Sequence, residues 1–448
     1  MFRALAMGIR TFAIWMLACS AFAGEPVQAE ATLGPNLTPL GGEAQGNADG
    51  SIPRWEPYSG PAAVAPPGSL LADDRPLLRI TASNLEQYAS RLSDGTKALL
   101  RKHPETFRLD VYATRRTADA PKYVYEATLR NGRNAHLVDG PGGPVPADAY
   151  AGIPFPIPKT GVEAMWNHLM RWRGYSFRRQ FANYLITADG KRVTVDGGIF
   201  DVRQPYYDPR GSAADFGGEY ALVRIDSDAP PDRKGVAYVE RDNVNAEKNG
   251  AWAYLPGQRR VRKLPNSCCD VPLPSAAGAI TNDEPDVWDG RLDRYDWKLL
   301  GKIELYVPYN TNASLRASID DLIGKTHLNP DHVRWELHRV WVVEGNLAAG
   351  KRHAMVKSRY YLDEDTWMAL LGDRWAESGA LAKTLWTLPL WLPAIPAVAA
   401  ATSGSYDLAT GTWVVMAAPI GRTEPYKVMP SFNDAHFTPD ALTAEGVR

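Results

Sequence analysis

Cysteine is nearly missing from this sequence: three residues in 448, against 14 tryptophans and 20 tyrosines. That excludes a disulfide scaffold. An excess of either charge is missing too. Fifty lysines and arginines face 51 acids, a formal net charge of −1, so nothing draws the chain in general toward nucleic acid or an anionic membrane. Beyond the N-terminus no apolar run could span a bilayer. The nearest candidate, Ala380–Ala401, is interrupted by Pro389, Pro393 and Pro396 and contains Lys383. What is present is core-forming material, 45% hydrophobic with only 23% charged residues, enough to rule out a disordered chain. The length suggests two or three domains, although all-β folds often exceed 200 residues as one.

The first 23 residues place Arg3 and Arg10 ahead of a short apolar run that ends in Ala21-Phe22-Ala23. This is the pattern of a secretory signal cut after Ala23, with Ala29 as the alternative site. Met16-Leu17-Ala18-Cys19 is a weaker lipobox-like pattern and would anchor the chain by lipid at Cys19. The protein is therefore expected in the periplasm. Cys268 and Cys269 are neighbours. Adjacent Cα atoms stand about 3.8 Å apart, short of the roughly 4.4–6.8 Å a disulfide usually spans. Two small side chains in a loop or strand edge are expected there, with a redox or intermolecular role as the alternative.

Residues 24–75 are rich in Gly, Pro and Ala and read as an extended segment with a turn at Asn47–Ser51. A single domain is expected over 76–430, followed by a tail over 431–448. Within it, Ser83–His103 reads as one helix capped by Ser83 and stopped by Pro104. A second helix is predicted over Val162–Trp172, and Tyr123–Arg130 reads as an alternating strand. From Gln180 onward the chain reads strand after strand. Tyr295–Val307 is the clearest alternating strand: Tyr295, Trp297, Leu299, Ile303, Leu305 and Val307 on one face, Asp296, Lys298, Lys302 and Glu304 on the other. Val333–Val343 likewise sets Trp335, Leu337 and Trp341 against Arg334, Glu336 and His338. Such alternation predicts one buried and one wet face, the mark of an antiparallel sheet. Hairpins are expected through Asp363-Glu364-Asp365 and through Ala409-Thr410-Gly411. No βαβ alternation supports a doubly wound fold.

Catalytic signatures are missing as well. There is no GxSxG, HExxH or Walker loop, and the Gly140–Gly143 cluster runs into Pro144. His327, His332 and His338 fit no standard zinc spacing. The run Asp283, Glu284, Asp286, Asp289, Asp293, Asp296 lacks the EF-hand ligand pattern and reads as a solvated loop. His168 reads as a helix-surface or capping residue. No catalytic residue, metal ligand or cofactor is expected. The apolar strand faces fit either an ordinary core or a curled sheet around an apolar cavity. In the second case Trp297, Leu299, Ile303, Leu305, Trp335, Leu337 and Trp341 line the cavity. Arg339, a charge on the apolar face, pairs with an internal carboxylate or meets a ligand head group or lid.

Six long segments carry a resemblance: LTPLGGEAQGNADGSIPRW, ITASNLEQYASRLSDGTKALL, PKTGVEAMWNHLMRWRG, AWAYLPGQRRVRKLPN, RYDWKLLGKIELYVPYN and HLNPDHVRWELHRVWVVEGNL. They resemble the proteobacterial family known as domain of unknown function 1329, from about Leu37 to near the C-terminus. AWAYLPGQRRVRKL is also similar to strands of the LolA/LolB lipoprotein-carrier superfamily. The resemblance implies a large curved antiparallel sheet, or half-open β-barrel, with helices at its mouth around an acyl-chain cavity. It also implies company with RND-type exporters and outer-membrane proteins. The chain departs from the common pattern at Asn266–Asp270 and Leu388–Ala397. The expected function is a periplasmic, non-enzymatic carrier or chaperone for a lipid or other hydrophobic molecule. The alternatives are an adaptor of an envelope export complex and, third, a lipid-modifying enzyme.

Overall fold

The computed structural model describes residues 33–58, 66–264, 269–418 and 426–445. The signal segment, Cys19 and Cys268 lie outside them. Sixteen strands form one open, mainly antiparallel sheet. Two short strands, β1 (Leu78–Ile80) and β2 (Leu109–Val111), start it. β3 (His136–Val138) and β4 (Val145–Ala147) form a separate hairpin. One arm consists of β5 (Ser176–Ile186), β6 (Arg192–Arg203), β7 (Glu219–Ala229), β8 (Ala237–Asn243), β9 (Gly250–Leu255) and β10 (Arg260–Lys263). The other consists of β11 (Tyr295–Pro308), β12 (Arg334–Leu347), β13 (Met355–Asp363), β14 (Ala369–Ala376), β15 (Leu381–Leu392), β16 (Ala397–Asp407) and β17 (Trp413–Met416). β17 pairs with β5 and joins the arms, and β18 (Lys427–Val428) also pairs with β5. A parallel β2–β12 pairing makes the sheet mixed. Both expected hairpins, β13–β14 and β16–β17, are antiparallel pairs.

The helices are α1 (Leu85–Tyr88), α2 (Asp94–Lys102), α3 (Lys122–Asn134), α4 (Gly161–Leu169), α5 (Ile319–Leu322) and α6 (Pro439–Glu445). Three readings of the sequence are corrected here. The helix expected over Ser83–His103 is broken: α1 passes into a 3-10 turn at Ala89–Arg91, and α2 restarts at Ser93, whose hydroxyl accepts from Thr96 N. The restart is fixed by docking, because Gly95 N donates to buried Asp373 and a Cβ on Gly95 would collide with Asp373 and Thr384. The expected strand Tyr123–Arg130 is part of α3. Its buried residues Val124, Ala127, Thr128 and Asn131 have helical spacing, and Pro121 stands just before the first turn. Third, the polar side of β12 is not wet, since Arg334, Glu336 and His338 are all buried. The helix expected at Val162–Trp172 is present as α4, held by a reciprocal Thr160–Glu163 capping box.

The two arms are covered differently. In the β12–β16 arm both faces are buried, with every residue of β15 from Lys383 to Leu392 out of solvent. α2 and Ile52 pack on one face with Val340, Leu371 and Trp386. α4 and Trp288 pack on the other with Val343, Tyr360 and Leu385. In the β5–β10 arm each face is only partly covered, one of them by a single segment. The C-terminal segment lies on that face, burying Phe437 and Leu442 against Leu222, Val239 and Tyr254. The stretch expected as a tail is thus partly docked. Across the opposite face runs the cross-strand row Arg179, Phe200, Ile225, Tyr238, Ala253, Arg262. Phe200, Ile225 and Tyr238 are only half-buried there.

Candidate functional site

Of the eight residues expected to line one cavity, the four on β11 are divided by a single bulge. β11 pairs with β12 as Trp297↔Gly345 and Leu299↔Val343, then skips Leu300 and resumes at Gly301↔Val342. The extra residue reverses the alternation. Gly301 has φ +104°, a conformation side chains avoid. Beyond the bulge Lys302 and Glu304 stand opposite Trp341 and Arg339, while Ile303 and Leu305 stand opposite Val340 and His338, on the other face. Trp297 and Leu299 belong to the core under α4. Trp335 and Leu337 are buried in the core under α2. Trp341 is half-buried, with the Lys302 ammonium 4.8 Å from its ring centre. Arg339 is paired with Glu364 at 3.2 Å and Glu43 at 3.5 Å, and it donates to Gln45 O at 3.0 Å. The structure therefore brings only Ile303 and Leu305 to an open site.

That site is a cleft of about 410 Å³ between the Ala89–Arg91 turn with the start of α2 and strands β11–β13. Its floor is apolar: Leu300, Ile303, Leu305, Val342 and Tyr361, with Leu92 as a wall. Leu300 is 52% exposed and Ile303 41% exposed, unusual for such side chains next to a formed core. The polar residues stand together. Asp94 bridges Lys97 at 2.6 Å and Arg359 at 3.5 Å, and Arg359 also pairs with Glu344 at 2.8 Å. Burial alone would lower the Arg359 guanidinium, but Glu344 and Tyr361 outweigh it and hold it charged. Burial raises the Tyr361 phenol, which stays protonated. The volume falls within the range of small-molecule sites, apolar with a few placed polar groups. By contrast, the space enclosed between α2 and the sheet near Trp335, Leu388 and Tyr406 is about 30 Å³, room for about one water.

Other expectations change on the structure. The acidic run is not a solvated loop. Asp283 and Glu284 are buried, Asp283 on Arg374 at 3.2 Å and His353 at 3.1 Å, and Glu284 on Lys383 at 3.0 Å. Burial opposes charge on Asp283, but Arg374 and His353 outweigh it and hold its carboxyl well below the usual range. Asp286 pairs with Arg171 and Arg173, and Asp293 with Arg291 and Lys351. His168 is not on a helix surface. It is fully buried, its Nδ1 accepts from Ala369 N at 3.0 Å, and its Nε2 donates to Trp288 O at 2.9 Å. Burial and Arg171 push it down, so it is neutral and ties α4 to β14. Cys269 is disulfide-bonded, which replaces the expectation of two plain small side chains. Residues 33–58 do not run free either: Trp367 Nε1 donates to Leu40 O at 2.8 Å, and Ile52 is buried.

The cleft was hidden from sequence reading for a physical reason. It joins Leu92–Lys97 to Leu300–Leu305 and Val342–Tyr361, segments brought together only by folding. The bulge did leave a signal, since Leu299-Leu300-Gly301 breaks strict alternation and puts a glycine inside a strand.

The model of the family described as protein of unknown function DUF1329 matches residues 79–443. An uncharacterized protein of Pseudomonas aeruginosa is 36% identical over 455 residues, covering 97% of each chain. Among solved structures, a putative outer membrane lipoprotein-sorting protein domain from Vibrio parahaemolyticus is 15% identical with a TM-score of 0.43. It covers 63% of this chain and 98% of that one. A DUF1329 family protein from Desulfovibrio piger is 16% identical with a TM-score of 0.40, covering 60% and 92%. A LolA superfamily protein from Nitrosomonas europaea is 14% identical with a TM-score of 0.34, covering 63% and 100%. With a family model over most of its length and a relative this similar end to end, the chain belongs to the DUF1329 family.

Proposed function

We propose that this protein is a non-enzymatic carrier or chaperone of the periplasm, exported by its signal segment, that shields a lipid or other hydrophobic molecule. The observation that supports the reading is the open apolar floor of the cleft, with Leu300 and Ile303 left exposed beside a completed core. Covering a Leu or Ile side chain fully is worth about 1.5–3 kcal/mol, so finishing these two contributes on the order of 2 kcal/mol to cargo binding. Hand-over to an RND-type exporter or an outer-membrane protein completes the proposed role. The test is mass spectrometry of a solvent extract from the mature protein, purified from periplasm without detergent. A stoichiometric apolar molecule, lost in Ile303→Glu while the variant stays folded, supports the reading. An empty extract, together with no uptake of a fluorescent fatty acid by the wild type, overturns it.

A further inference from the structure

His338, Asp363 and Asp365 each place one ligand-type atom within 4.8 Å of the others, and the three residues are 1%, 0% and 1% exposed. Their surroundings aim these atoms inward. His338 Nε2 lies 3.1 Å from Glu336 Oε2. A carboxylate oxygen accepts there, so Nε2 donates, and the ring turns its other nitrogen, Nδ1, toward Asp363. Asp363 Oδ2 is satisfied by Thr366 N at 2.9 Å, Thr366 Oγ1 at 2.7 Å and Tyr309 Oη at 3.2 Å. Its Oδ1 accepts from nothing among the described residues, although it is wholly buried. Nδ1 and Oδ1 face each other at 3.6 Å, too far for a hydrogen bond. Two buried polar atoms facing each other unbonded in that position require a proton or a metal ion between them.

We propose that His338 Nδ1, Asp363 Oδ1 and the Asp365 carboxylate bind one divalent metal ion of the zinc type, which pins β12 to the turn between β13 and β14. Zinc–nitrogen and zinc–oxygen bonds of about 2.0–2.2 Å place neighbouring tetrahedral ligands a little over 3 Å apart, close to the observed gap. One imidazole with two carboxylates suits a borderline metal better than calcium or magnesium. The second layer is that of a metal site: Glu336 orients the histidine, Thr366 and Tyr309 orient one aspartate, and Arg116 orients the other through bonds of 2.7 and 2.6 Å. Arg116 leaves each Asp365 oxygen a second lone pair. The charges agree. Glu43, Asp74, Glu336, Glu364 and Asp365 are matched in number by Arg115, Arg116, Lys302, Arg334 and Arg339, which leaves the Asp363 carboxyl, across from His338, outside that balance.

The site does not depend on the carrier reading and is tested separately. The full mature protein is stripped with chelator, re-equilibrated with Zn²⁺, gel-filtered and assayed by elemental mass spectrometry. One zinc per chain is expected, also in His136→Gln, whose histidine is exposed on another hairpin. Asp363→Asn and His338→Gln are expected to lose it, and Glu336→Gln to bind about 10–100-fold more weakly. Should those variants fail to fold, cobalt-loaded wild type decides: a visible absorption band with a single imidazole ligand by X-ray absorption supports the site. No retained zinc, which leaves a shared proton between His338 and Asp363, overturns the proposal. Zinc undiminished in both ligand variants, or cobalt bound without an imidazole, overturns it equally.

Discussion

The two arms of the sheet use opposite means of holding strands together. In the β12–β16 arm both faces are covered, and several buried charged side chains are matched inside it: Arg374 with Asp283, Lys383 with Glu284, Asp373 with Gly95 N and Thr384. In the β5–β10 arm one face is partly covered by the C-terminal segment and the other keeps half-buried apolar and charged groups near solvent. A residue's chemistry therefore does not decide its cost of removal. Its arm does.

Substitution at Arg374 tests this most severely. Arg374→Met takes the guanidinium from buried Asp283, leaving that carboxylate only His353, and is expected to cost about 3–5 kcal/mol in urea unfolding. A loss under 1 kcal/mol would remove the distinction between the arms. Asp373 tests it by pH. Burial pushes its carboxyl up to about 6 from an ordinary 3.8, so the folded state prefers the protonated form. Its stabilisation is full below about pH 4 and disappears as pH rises through 6, about 3 kcal/mol in all. Asp373→Asn should lack that component, seen as a flatter stability profile between pH 4 and 7. In the other arm Leu442→Ala is expected to cost about 2–3 kcal/mol. Limited proteolysis of this variant should release the C-terminal segment first if the segment is that arm's cover. Thr160→Ala, which removes one cap of α4, should cost about 1 kcal/mol by thermal melt. Arg260→Ala on exposed β10 should change stability by less than about 0.5 kcal/mol, and a larger loss would show that β10 is not a free edge.

Much of this fold was legible because alternation is written into the strands. Tyr295–Pro308 and Arg334–Leu347 were found nearly to their ends, and both hairpins were found from turn residues. Two of the misreadings share one physical origin, that polarity was taken to mean water. Glu336 and His338 seemed to mark a wet face and Asp283 a solvated loop, yet all three are buried and meet groups distant in the chain: Arg115 N and Asn310, Asp363, and Arg374. Aromatics misled at α3, where Tyr123 and Tyr125 suggested a strand while Val124, Ala127 and Asn131 already had helical spacing. The cleft was half legible. Ile303 and Leu305 were named, but Leu92, Lys97 and Arg359 join them only through the tertiary fold.

The bulge at Leu300 acts on side chains as a frameshift acts on codons. Upstream, β11 sends its odd-numbered residues to the core under α4; downstream, the same parity sends Ile303 and Leu305 to the cleft. Pairing Leu300 with Val342, with no bulge, would restore the frame without changing the composition of the strand. Lys302 and Glu304 would then take the cleft positions, and Ile303 would meet the acidic turn that Lys302 now neutralises. One surplus residue thus decides whether this strand offers the solvent a greasy surface or a charged one.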